Sequence, residues 1–158
     1  MCHHPYDSRR RIAERFPCRI NSDVGTNVIV AAMMSKHSDS ATVKVINAVR
    51  EGRLKPVLAP DIIAEYGEVL SRSKFQFVEE DVRQTIDAIV ANAVFLEPKS
   101  SGETFADESD RVFYEVALAG HDDDTRLVTG NLRHYPVSPI VVTPAQMVAI
   151  IEERFSQS

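Results

Sequence analysis

The chain has 158 residues, 44% hydrophobic and 26% charged, a balance that fits one globular domain and excludes a disordered chain or a coiled coil. No apolar run reaches the roughly 18–20 residues that cross a bilayer, which excludes a membrane-spanning protein. The net charge of −5 is unevenly spread: residues 1–19 carry five arginines against Asp7 and Glu14, whereas the stretch Glu103 to Asp124 holds eight acids against Arg111 alone. An acidic body of this kind does not bind phosphate by charge across a broad surface, but its acids can hold a divalent cation that then meets phosphate.

Residues 1–18 show no hydrophobic period and read as a flexible extension. Its Cys2-His3-His4 run lacks partner ligands at zinc-site spacing. Cys2 and Cys18 both precede the core, and the N-terminus lacks an apolar signal core, so a reducing, cytoplasmic setting is expected. A single domain is expected over 19–155. It begins with a short strand ending near Val24, a helix from about Asn27 to Met34, a polar break, and a helix from Ala41 to Glu51 closed by Gly52. A strand at Pro56 to Leu58 runs into Pro60-Asp61, where proline suits the start of a helix reaching about Arg72.

After a loop at 71–77, Val82, Ile86, Ile89 and Val90 give the amphipathic period of a helix over 79–92. A strand at Val94 to Leu96, a polar connection, a helix over 108–119, a strand at Arg126 to Thr129, a helical turn after Asn131, a strand at Ile140 to Val142 and a helix over 144–154 complete the chain. Strands alternating with helices call for a parallel sheet covered on both faces, and such sheets bind ligands at the carboxyl ends of their strands. The six glycines are scattered singly, so no phosphate-cradling glycine loop is present and a nucleotide-binding reading has little support.

Rotation by about 100° per residue places Ile62, Ile63, Tyr66, Val69 and Leu70 on one face of the third helix, with Glu65 at the border of core and solvent. Asp110 takes the same border position on the helix with Val112, Phe113, Val116 and Ala119. Each is read either as a boundary acid or as a ligand at the sheet edge. Asp107, three residues before Asp110, has the spacing of a helix cap and is read first as one. Carboxylates converging at strand ends suit magnesium or manganese, which take oxygen ligands and keep open positions. His134 beside Tyr135 reads as a surface turn histidine, with stacking on RNA as the alternative. Arg72 and Lys74 flank the cleft helix as exposed charges that can also meet phosphate.

Five segments in order, Val24-Gly25-Thr26-Asn27-Val28, Pro60 to Tyr66, Asp107 to Ala119, Leu127 to Tyr135 and Val142-Thr143-Pro144, resemble the PIN-domain family, in particular the branch of toxin components of toxin–antitoxin pairs. The resemblance implies a three-layer α/β/α fold with a central, mostly parallel sheet of four to five strands. It also implies a divalent-metal site using magnesium or manganese, endoribonuclease action on single-stranded RNA, and a cognate antitoxin partner, with a second copy of the chain as a further candidate partner. On the family's motifs, Glu65 and Asp110 match acidic ligands, Asp107 is a neighbouring acid, Asn131 matches the fourth position, and Thr26 and Asn27 match the residues that orient the first acid. That first acid is replaced here by Gly25. Asp23 lies two residues earlier on the same strand face, about 6.5 Å along the chain, too far to substitute without a bulge. A module that keeps the fold and partner surface without turnover is therefore the competing expectation.

Overall fold

Among the residues described by this computed structural model, 19–156, five strands are interspersed with six helices. They are β1 (Ile20–Val24), α1 (Thr26–Met34), α2 (Ala41–Glu51), β2 (Leu54–Leu58), α3 (Pro60–Leu70), α4 (Glu79–Ala91), β3 (Val94–Phe95), α5 (Glu108–Ala119), β4 (Arg126–Val128), β5 (Val141–Val142) and α6 (Pro144–Ser156). The extension at 1–18, with its Cys-His-His run, lies outside the described residues. None of the described helices is long and apolar enough to cross a membrane.

The sheet is parallel throughout, in the order β3-β2-β1-β4-β5, with α-helices in every connection except β4 to β5, which holds a single 3-10 turn at Leu132–His134. Its strand order reverses at β1, which pairs with β2 on one side and β4 on the other. With helices on both faces, this is the expected three-layer α/β/α arrangement. Gly52 ends α2 in the left-handed conformation, and its amide returns to Ala48 and Val49 carbonyls, as the glycine after that helical period predicts. Pro60 opens α3 as expected. The loop after α3 contains a single 3-10 turn at Ser73–Phe75, and β2 starts two residues earlier than its apolar run suggests.

The core joins β1, β2 and β4 to the apolar faces of the helices, with Val28, Ile29, Val45, Val49, Leu58 and Ile62 fully buried. Ile151 of α6 is in that core, with Ile150 and Phe155 packed against it, as its helical stripe predicts. The central strand departs from the apolar run usual for a doubly covered parallel sheet: it reads Asn21-Ser22-Asp23, and both Ser22 and Asp23 are completely buried. The Ser22 hydroxyl donates to the Arg126 carbonyl at 3.0 Å. Among the described residues, neither carboxylate oxygen of Asp23 has a hydrogen-bond partner.

Candidate functional site

The carboxyl ends of β1 and β4 are fastened together by side chains from the turns that follow them. The Gly25 amide donates to the Val128 carbonyl at 2.9 Å, which keeps β1 in register with β4 up to its last residue. Asn27, in the first turn of α1, donates from Nδ2 to Thr129 Oγ1 at 3.0 Å and accepts the Gly130 amide on Oδ1 at 2.8 Å. Thr129 Oγ1 in turn accepts the Asn131 amide at 3.0 Å. Asn27 therefore uses both ends of its amide to fix the β4 turn. Asn27→Ala is expected to cost about 1–2 kcal/mol in urea unfolding, because it breaks one part-buried and one exposed hydrogen bond at once.

Glu65 on α3 and Asp110 on α5 stand half-buried on helices that pack against each other, the border positions that their helical wheels predict. Burial raises the pKa of Glu65, and Glu68 and Asp107 raise it further against the opposing Arg72. Asp110 is also raised by burial, against the lowering influence of His134 and Tyr135. The acids thus stand close enough to repel one another, and a cation is the ordinary remedy for such crowding.

Asp107 is the N-cap of α5. Its Oδ1 accepts the Ser109 amide at 3.0 Å and the Ser109 hydroxyl at 2.9 Å, and these bonds hold its pKa below the usual range. The capping reading is the one its contacts support. Asp110 is also engaged: the Tyr135 hydroxyl donates to Oδ1 at 3.2 Å and His134 Nδ1 lies 3.4 Å from Oδ2. Tyr135 is buried beside Phe105 and Tyr114, so this contact comes from inside the protein. Sequence spacing gave no sign of it, since Tyr135 follows Asp110 by 25 residues and a separate strand intervenes. Arg72 is paired with Glu68 one turn away, and Lys74 lies over the Phe75 ring at 5.1 Å.

A concavity of about 560 Å³ runs between α3 and α5, lined by Asp61, Glu65, Glu68, Glu108, Glu115 and Arg111 among others. Of the candidate residues it is lined by Glu65 alone, and Asp107, Asp110, Asn131, Thr26 and Asn27 are not in its lining. Comparison with protein families finds a match to the PIN domain over residues 24–133, well over half of the chain and a span that holds Gly25, Glu65, Asp107, Asp110 and Asn131. The chain belongs to the PIN-domain family. No curated protein and no solved structure matches it.

PIN domains are generally nucleases and usually use divalent metal ions. The donor types in this PIN domain suit such an ion, since Glu65, Asp107 and Asp110 supply hard oxygens. Their arrangement does not: no three His, Cys, Asp or Glu side chains among the described residues are placed to share one ion. Gly25 offers no side-chain oxygen at the end of β1, Asp107 is committed to its cap, and Asp110 is engaged by Tyr135. Asp23 does not fill the gap, because its carboxylate is wholly buried among core groups. The described residues therefore do not fit a resident divalent ion as they stand.

Proposed function

We propose that this PIN-domain protein acts on single-stranded RNA at the cleft between α3 and α5, in the manner of the toxin component of a toxin–antitoxin pair, with its metal-dependent endoribonuclease activity impaired by Gly25. The observation that carries this reading is the strand end itself. The surrounding PIN elements, Asn27 and Thr129 included, are kept in a tight hydrogen-bonded frame, while the one position at their centre that would carry a charged ligand has no side chain. A cognate antitoxin protein is the partner this reading implies, and a homodimer is the assembly to test beside it.

The test is cleavage of a fluorescein-labelled single-stranded RNA in manganese, with chelator and Asp110→Asn as controls. Slow cleavage by the wild type that both controls remove is the expected result. Failure of the protein, and of Gly25→Asp, to bind or cleave RNA would sink the proposal. A second reading, a PIN module that binds or regulates without turnover, is favoured by the engagement of both Asp110 oxygens. It predicts RNA binding with no cleavage even after Gly25→Asp.

A further inference from the structure

The turn after β4 places a histidine where the acids of the cleft do not account for it. His134 Nδ1 lies 3.4 Å from Asp110 Oδ2, and 55% of the side chain is exposed. The next residue, Tyr135, is buried and donates to the other oxygen of the same carboxylate. One carboxylate thus ties down two consecutive residues, the tyrosine from within and the histidine at the surface. A carboxylate facing Nδ1 keeps the proton of the neutral ring on that nitrogen. Nε2, on the far edge of the ring, is then a hydrogen-bond acceptor turned away from Asp110.

The surroundings say what that acceptor can meet. Leu132 and Arg133 are exposed on the same turn, so one apolar and one cationic side chain stand next to His134 in the chain. Phosphates are repelled from Glu65 and Asp110 and drawn to the Arg133 guanidinium. A strand held there by its phosphates presents sugar edges to the ring. The group that distinguishes RNA from DNA on that edge is the 2′-hydroxyl, which can donate.

We infer that His134 reads the ribose: its Nε2 accepts a hydrogen bond from the 2′-hydroxyl of bound single-stranded RNA, and Asp110 is the positioning residue that sets the tautomer and orientation of the ring. The inference rests on the RNA-directed reading above and adds the residue that confers RNA specificity. No proton is transferred and no bond is broken in this contact.

The test measures binding of labelled oligouridylate, oligodeoxyuridylate and 2′-O-methyl oligouridylate by fluorescence anisotropy in EDTA, so that every probe stays intact. The wild type is expected to bind the ribose form about five- to tenfold more tightly than the other two, the size of one hydrogen bond. His134→Ala should bind all three alike. His134→Phe keeps a stacking ring without the acceptor, and should also bind all three alike. Asp110→Ala, which frees the ring, should shrink the preference. Retention of the ribose preference in His134→Ala or His134→Phe would overturn the inference, and so would tight binding of the 2′-O-methyl probe by the wild type. Equal wild-type binding of all three probes would overturn it while leaving nucleic-acid binding intact, whereas binding of none would remove the RNA reading as well.

Discussion

Gly25→Asp is expected to raise manganese-dependent cleavage of single-stranded RNA by on the order of 100-fold, the loss typical when a metal site is disturbed run in reverse. The backbone permits the change: Gly25 has φ −64° and ψ 147°, an extended conformation open to any residue. Space is tighter. A Cβ there would stand 3.0 Å from the Val128 carbonyl oxygen, 3.3 Å from Asn27 Nδ2 and 3.6 Å from Thr129 Cβ, so β4 must yield by a few tenths of an ångström. That strain, with the repulsion of a further carboxylate beside Glu65 and Asp110, should lower the stability of the ion-free variant by about 1–2 kcal/mol. Gly25 is also the N-cap of α1, where an aspartate offsets a few tenths of a kcal/mol of that cost.

The same variant has a second readout. Manganese at roughly 100 times its Kd should stabilise it by about 2.7 kcal/mol, a rise of about 5–10 °C in Tm for a domain of this size. The wild type, with no three donors among the described residues placed to share an ion, should show little rise. Absence of both the thermal shift and the cleavage in Gly25→Asp would mean that the end of β1 is not the position that limits the site.

Asp23→Val should stabilise the protein by about 2 kcal/mol or more at pH 7, the scale of removing an unpartnered buried polar group. Burial raises the folded-state pKa of Asp23 well above its ordinary value, with no opposing hydrogen bond or cation. Because the folded pKa lies above the unfolded one, the ionisation-linked part of that cost vanishes in acid, where both states are protonated, and only the cost of burying a neutral carboxyl remains. Stability then falls as pH rises from the unfolded pKa through the folded one, by up to about 1.36 kcal/mol per pH unit. Valine fills a similar volume, is branched at Cβ and suits a central parallel strand. The variant's advantage should therefore shrink steadily as thermal unfolding is measured from pH 8 down toward pH 4. A pH-independent difference, or a destabilised variant, would show that Asp23 is stabilised by something its surroundings do not reveal.

The buried carboxylate also bears on its neighbours. Its charge adds to burial in pushing up the hydroxyl pKa of Tyr66, which donates to the Val24 carbonyl, and of Tyr135. Both tyrosines stay protonated and able to donate at neutral pH. The hydroxyl contacts at Val24 and Asp110 thus keep their donors at neutral pH.

Much of the candidate site was legible along the chain. Glu65 and Asp110 fall at the core–solvent border of their helices because a 3.6-residue period assigns each position a direction, and both are half-buried. The capping of α5 by Asp107 is equally local, decided within three residues. The engagement of Asp110 by Tyr135 and His134 was not legible, nor was the lack of any partner for Asp23. The first depends on a turn that reaches Asp110 only after β4 has paired with β1. The second depends on which side chains close over the face of β1, and nothing in a run of Asn21-Ser22-Asp23 says that this strand is the central one.

Sequence by itself determined the order of strands and helices and the border positions of Glu65 and Asp110 on their helices, because periodicity, capping and turn chemistry act over a few residues. Only the tertiary structure decided that these acids do not form one ion-binding set and that Asp110 is bound to a tyrosine and a histidine. Those outcomes are set by distances between segments far apart in the chain, and the parallel sheet brings such segments together only after its crossovers have folded.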